Sequence, residues 1–371
     1  MGFDAIFDPR YWALVPFHFW SLVFFSFGGI VGSFLNVCIY RMPLDLSVVS
    51  PPSHCPHCKY AIPFYLNIPL VTWLSLRGRC KNCGAPISPR YFAVELLTGV
   101  AFLACWLVFG HQSPGLALVY ALFLAGLIVA TFIDFEHFII PDEITLGGAV
   151  AGFALSLFLP QLHGAHTAGT GLVRSVGGIA AGAGIVYAVL RLGKLLFGRQ
   201  KMKLPAETKI VFSETAVCLP DQEIPYEEIF YRKSDTIVLQ ARTVELVDRS
   251  YADVTVRLSP SVLQIGGEKI APESVLHLEA VCSEIVVPRE AMGLGDVKFM
   301  AAIGAFTGWQ GAVFSLMASS VIGSAVGVIL ILLRKRAWSS RLPYGPYIAL
   351  AAVIWIFGGK KFFHALFQFN F

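Results

Sequence analysis

Charge is what this chain has little of. Of its 371 residues only 14% are Asp, Glu, Lys or Arg, where soluble domains carry about 25%. Hydrophobic residues reach 56% and mean hydropathy is +0.67. These values exclude a disordered chain, a coiled coil and an ordinary soluble enzyme, and leave a polytopic membrane protein. The scarcity is uneven: 26 of the 52 charged residues fall between Arg199 and Glu290. Outside that block the only acids are Asp4, Asp8, Asp45, Glu95, Asp134, Glu136, Asp142, Glu143 and Asp296. The net charge of +4 is the remainder of basic loops set against an acidic insert, so no nucleic-acid partner is expected. A basic n-region is also missing. The first ten residues carry Asp4 and Asp8, and the first apolar run is expected to stay as a span rather than be cleaved as a signal peptide.

A span needs about 20 mostly apolar residues. Phe19 to Tyr40 supplies the first, and a polar, proline-rich loop follows from Arg41 to Arg90. Residues 91–110 and 115–133 read as a hairpin of spans, and 143–160 and 171–197 as the fourth and fifth. The 35 uncharged positions after Lys298 are too many for one span without a large tilt. The natural turn among them is Thr307-Gly308-Trp309-Gln310. A last span covers 344–367, which makes eight. Basic residues cluster in alternate loops: Arg41 to Arg90, Arg191 to Lys203, and Arg334 to Arg341. That side is expected to be the cytoplasm, with the N-terminus outside. The resulting divisions are 1–40 (N-terminus and first span), 41–90 (polar loop), 91–198 (spans two to five), 199–290 (insert) and 291–371 (spans six to eight).

The insert holds 15 acidic and 11 basic residues. β-rich runs such as Lys209–Phe212, Thr236–Leu239 and Asp253–Val256 alternate with turn residues at Pro220-Asp221 and Gly266-Gly267, as in a small β domain. The block also repeats at an offset of 46: Ser213 falls on Ser259, Ile224 on Ile270 and Glu227 on Glu273. An internal β-rich duplication follows as an expectation. The acidic excess makes this domain a poor binder of lipid surfaces and a better candidate for contact with a protein partner or for restraining access to Asp296 just downstream.

Carboxylates at membrane depth are costly, and their presence is a functional hypothesis by default. Asp134 closes the third span and Asp296 opens the sixth, in Gly293-Leu-Gly-Asp296. The topology puts both at one depth on the cytoplasmic side. Two such groups, close together, share one proton; one acts as general base on water while the other acts as general acid on a carbonyl. The competing reading makes Asp134 a helix end and Asp296 a cap. Glu95 within the second span is expected to pair with Arg90 or a neighbouring span. Lys298 is expected to bias the aspartates electrostatically or to snorkel. The stretch Gly177–Gly184 has the spacing of close helix packing.

Of eight cysteines, four form two Cys-x-x-Cys pairs in the polar loop. Cys55 and Cys58 are separated from Cys80 and Cys83 by 21 residues, a spacing suited to tetrahedral zinc. Two disulfides are the rival, disfavoured in a reducing cytoplasm. Four thiolates close the shell, so such a zinc would be structural. His54 and His57 are read as bystanders, and Cys38, Cys105, Cys218 and Cys282 as small apolar fillers.

Beyond these single features, an ordered set of fragments resembles the bacterial type IV prepilin peptidases, membrane aspartic proteases of the GxGD class. The set comprises Gly32-Ser-Phe-Leu-Asn-Val-Cys-Ile-Tyr-Arg-Met-Pro43, the paired Cys-x-x-Cys loop, Asn67-Ile-Pro69 and Leu76-Arg-Gly-Arg-Cys80. It continues with Ile87–Tyr91, Val94–Gly99, Asp134 through Asp142, Gly293–Lys298 and Pro343-Tyr-Gly-Pro346. The resemblance implies that Asp134 and Asp296 are the catalytic pair. It further implies cleavage of prepilin or pseudopilin leaders at the cytoplasmic face of the inner membrane. It also implies N-methylation of the new N-terminus with S-adenosylmethionine. No glycine-rich cofactor loop after a strand is present, so the methyl-donor site does not follow from the sequence. An ion-coupled transporter using the two aspartates as relays is the alternative from another class; it predicts inverted hydropathy repeats, which are not evident. The fold class expected is therefore all-α and polytopic, with a zinc loop and a β-rich insert.

Overall fold

A computed structural model describes residues 12, 14–197, 199–220, 222–230, 235–275, 277–288, 293–333, 342–360, 363 and 365. Asp4, Asp8, Arg334 to Arg336, Arg341, Lys361 and the far end of the last expected span lie outside these residues. The chain divides into two compact units, one of residues 1–187 with 294–371 and one of residues 188–293.

The first unit is helical: α1 (Phe17–Arg41), α2 (Pro89–Phe109), α3 (Pro114–His137), α4 (Asp142–Phe158), α5 (Ala168–Phe197, whose residues from 188 on belong to the second unit), α6 (Leu294–Leu332) and α7 (Gly345–Ile354). Five of them, α1, α2, α3, α5 and α6, are long and apolar enough to cross a membrane. α4 has 17 residues and α7 has 10, followed by a π turn at Trp355–Gly359. The boundaries have local causes. Ser88 and Ser113 accept hydrogen bonds from Arg90 N–H and Leu116 N–H, and Pro89 and Pro114 are the first residues of α2 and α3, the usual N-terminal chemistry. α6 is broken where a turn was expected: Gly308 leaves helical geometry at φ 73°, ψ 178°, a conformation that costs glycine little.

Glycine sets how closely the helices approach. Cβ atoms at Gly28 and Gly32 would lie 2.8 Å from Thr98 O and 2.7 Å from Glu95 Cα, so these positions bring α1 onto α2. Within the stretch expected to pack closely, Gly178 lies directly against the Gly304 backbone and Gly182 against Met300. Both leave no room for a side chain, the small-xxx-small device of membrane helices.

The second unit carries one eight-stranded sheet of order β3-β2-β1-β8-β4-β5-β6-β7. Its strands are β1 (Arg199–Phe212), β2 (Ala216–Leu219), β3 (Gln222–Pro225), β4 (Ile237–Leu246), β5 (Ser250–Leu258), β6 (Leu263–Ile265), β7 (Glu268–Ile270) and β8 (Leu278–Pro288). The duplication read from three identities is present in the register. Phe212 opposes Val217 and Val217 opposes Ile224; 46 positions on, Leu258 opposes Leu263 and Leu263 opposes Ile270. The turns repeat as well: Ser213 Oγ accepts from Ala216 N–H at 3.1 Å and Ser259 Oγ from Val262 N–H at 3.1 Å. The sheet order reads the same from both ends once the copies are exchanged, with β8 and β4 paired at the centre. Alternate residues such as Ile237, Leu239, Ala280 and Cys282 fill its buried core, the period-two pattern of a half-buried strand. Lys194, near the end of α5, pairs with the buried carboxylate of Asp235 at 3.0 Å.

Candidate active site and metal centre

Asp134 sits in the last turn of α3 and is 5% exposed. The turn after it closes with Phe138 N–H donating to Asp134 O, and Phe138 takes a left-handed φ of 56°. Burial at a helix end does not leave the carboxylate alone. Its Oδ2 accepts the backbone N–H of Gly345 at 2.8 Å. That N–H belongs to the first turn of α7, where helical donors have no partner within the helix. Asp134 therefore caps α7 from a different helix. The next residue, Pro346, has no N–H to offer.

Asp296 lies in the first turn of α6 and is half-buried. Ile140, in the short loop between α3 and α4, connects the two neighbourhoods. A Cβ at Gly295 would lie 3.8 Å from Ile140 Cβ, and one at Gly345 would lie 3.1 Å from Ile140 Cδ1. The turn that carries Asp296 and the glycine that grips Asp134 thus share one buried side chain. An ion pair adds a second connection. Lys298 Nζ donates to Asp142 Oδ1 at 2.7 Å and Oδ2 at 2.9 Å, tying the start of α6 to the start of α4. The Lys298 charge is therefore engaged by a carboxylate rather than snorkelling.

Glu95 meets the second of its two expected partners, the neighbouring span: the Ser33 side chain of α1 hydrogen-bonds its carboxylate. Arg90 pairs with Glu136, at the end of α3, and not with Glu95. Arg90 is in the first turn of α2, level with the end of α3. Glu95 lies further in, on the face turned to Gly32 of α1. Its Oε2 accepts the N–H of Leu70 at 2.7 Å and so anchors the polar loop to the helices. Leu70 has a left-handed φ of 62°, an uncommon state for a branched residue that this hydrogen bond helps hold.

The four loop cysteines come together. Their Sγ atoms all lie within 4.8 Å of one another, with Cys55 to Cys83 at 3.9 Å and Cys58 to Cys80 at 4.0 Å. Tetrahedral zinc with Zn–S bonds of about 2.3 Å needs sulfurs about 3.8 Å apart. Two matching turns build this geometry. Lys59 N–H donates to Cys55 O at 2.9 Å and Gly84 N–H to Cys80 O at 2.9 Å, while Cys55 and Cys80 donate to Tyr60 O and Ala85 O. Lys59 and Gly84 occupy the same left-handed position, φ 58° and 70°. The Asn82 amide donates to Cys58 Sγ at 3.6 Å. With the Tyr60 backbone N–H it lowers the Cys58 pKa to about 6, and the thiolate is the form that binds metal. The residues fit zinc. His54 Nδ1 turns instead to Pro52 O at 3.1 Å.

Sequence reading missed Gly345, Ile140 and the Lys298–Asp142 pair. The available signal was Pro343-Tyr-Gly-Pro346, a glycine placed before a proline at a helix start.

These features define an integral membrane protein with a tetracysteine loop and two aspartates at connected helix ends. Residues 26–109 match the Bacterial Peptidase A24 N-terminal domain, and residues 121–204 with 271–328 match the Type IV leader peptidase family. A "Prepilin leader peptidase/N-methyltransferase" of Myxococcus xanthus is 50% identical over 137 residues, 37% of this chain and 40% of the relative. Those of Aeromonas hydrophila and Dichelobacter nodosus are 29% and 36% identical, covering 92% and 47% of this chain and 92% and 68% of the relatives. No solved structure matches the chain. The chain belongs to the type IV leader peptidase family. The transporter reading finds no support in these matches, and residues 205–270 fall between the two matched stretches of that family.

Proposed function

We propose that this protein removes the leader of type IV prepilins or pseudopilins by aspartic-protease chemistry and then N-methylates the new N-terminus. Asp134 and Asp296 are the acid–base pair in this reading. The observation that carries it is the grip of Gly345 on a buried Asp134, joined through Ile140 to the glycine beside Asp296. Because Oδ2 of Asp134 accepts the Gly345 N–H, a proton on Asp134 resides on Oδ1, the oxygen left for a partner. One carboxylate takes a proton from water, whose oxygen attacks the scissile carbonyl carbon. The other carboxylic acid gives its proton to the carbonyl oxygen. The tetrahedral intermediate then collapses, the C–N bond breaks, and the departing amine takes a proton from the pair.

In this reading α1 to α5, the two halves of α6 about Gly308 and α7 with its π turn are the eight spans. The basic loops, both aspartates and the insert face the cytoplasm, and the membrane is the bacterial inner membrane. Cys55, Cys58, Cys80 and Cys83 would hold zinc as four thiolates, fixing the loop that Glu95 ties down. S-adenosylmethionine would supply the methyl group. The test is mass spectrometry of a prepilin-type peptide incubated with purified protein. Expected are a single cut at the leader boundary and a gain of one methyl when S-adenosylmethionine is added. An uncut peptide under conditions where a family relative cuts it would contradict the proposal.

A further inference from the structure

The two copies within the insert meet around a cleft of about 700 Å³. Phe212 and Leu258, Ser213 and Ser259, and Tyr226 and Pro272 all line it, and each pair is related by the 46-residue offset. The cleft therefore lies where the pseudo-twofold brings equivalent turns together, as binding sites between related halves often do. The copies have diverged there. The first contributes Tyr226 and Phe230, stacked with centroids 5.6 Å apart, where the second has Pro272. One wall is aromatic and the other aliphatic.

Two exposed carboxylates, Glu214 and Glu273, stand at the cleft. Among the described residues neither has a cationic partner, whereas Glu207, Glu268, Glu279 and Glu284 are each paired with Lys or Arg. The lining also adjoins backbone that is ready to pair. Tyr226 directly follows β3, and Pro272 follows β7 by one residue; these are the two edge strands of the sheet. Strand edges that no described strand covers, beside an apolar cleft, favour an extended chain over a compact metabolite.

We propose that this cleft is a docking site for an extended peptide segment of a partner protein, one that places a Lys or Arg between Glu214 and Glu273 and an apolar side chain against Tyr226 and Phe230. The apolar wall supplies burial, the carboxylates choose the sign of the charge, and an edge strand aligns the main chain. The inference is independent of the aspartate chemistry.

The test pans a random hexapeptide phage library against full-length protein in detergent micelles, with the E214Q/E273Q double variant in parallel. Both residues are exposed, so the variant should fold as the parent does. Expected are peptides combining a basic residue with aliphatic or aromatic neighbours. Their affinity should fall about three- to tenfold in the double variant at low salt, with the difference fading at high salt. Amides of β3 or β7 should gain protection from hydrogen exchange when peptide binds. No enrichment over empty micelles, enrichment of acidic or uncharged sequences, or equal binding by the variant would overturn the proposal. Saturable binding of hexylammonium, with no peptide enriched, would reassign the cleft to a small apolar cation and overturn it equally.

Discussion

Adding one methyl group at Gly345 perturbs the aspartate site without replacing an ionisable residue. In Gly345→Ala the new Cβ would lie 2.8 Å from Asp134 Oδ2 and 3.3 Å from its Cγ. Relieving the oxygen contact requires a displacement of roughly half an ångström, since carbon and oxygen rest at about 3.3–3.6 Å. The same movement stretches the hydrogen bond from Gly345 N–H to Oδ2, now 2.8 Å. Overpacking of this kind costs about 1–3 kcal/mol, which a membrane protein with this much helix contact should survive. The catalytic consequence is larger, because a misplacement near 1 Å costs about 10²-fold in rate. Leader-peptide cleavage by Gly345→Ala should therefore fall about 10- to 100-fold in kcat, with KM nearly unchanged. Initial rates over a range of peptide concentrations measure this, with a thermal unfolding curve alongside. Gly147→Ala is the control, since a Cβ there meets nothing within 4 Å. If Gly345→Ala cleaved within about twofold of the parent while stably folded, the Gly345 grip would have no part in the chemistry.

Other perturbations follow from the same geometry. Asp142→Asn and Lys298→Met should each slow cleavage severalfold, and the double variant should be no slower than either single one; the exposed pair should contribute only about 0–1 kcal/mol to stability. Cys55→Ser or Cys83→Ser should lower zinc, measured by elemental analysis, well below one equivalent and impair methylation more than cleavage, because structural metal supplies folding free energy to the loop. Gly182→Leu should destabilise the protein strongly, as α5 and α6 touch backbone to backbone at Met300; thermal unfolding in detergent reads it. Replacing residues 204–287 by a Gly-Ser linker should leave cleavage of a short leader peptide detectable while altering that of full-length pilin.

What the sequence made legible tracks how local each signal is. Spans, Cys-x-x-Cys turns and the 46-residue repeat are written in neighbouring residues, and hydropathy or self-comparison finds them. The break at Gly308 was legible because a glycine within Thr307–Gln310 divides an overlong apolar run. Contacts across the chain were not legible. Gly345 and Asp134 are 211 residues apart, and no periodicity encodes that meeting. Arg90 chose Glu136 over the nearer Glu95 because helix level, not sequence distance, decides which charges meet. The insertion of β8 between β1 and β4 is likewise a tertiary fact, invisible in strand propensity.

The proposed mechanism divides the proteolytic chemistry between Asp134 and Asp296. The most direct measurement is cleavage of a leader peptide by purified parent, Asp134→Asn and Asp296→Asn proteins, followed by mass spectrometry. Unfolding curves and zinc content provide matched controls. Each variant should fold, bind zinc like the parent and yield no product over many parental turnover times. Both variants should still methylate a pre-cut peptide. Appreciable cleavage by either folded variant would remove that aspartate from the catalytic pair.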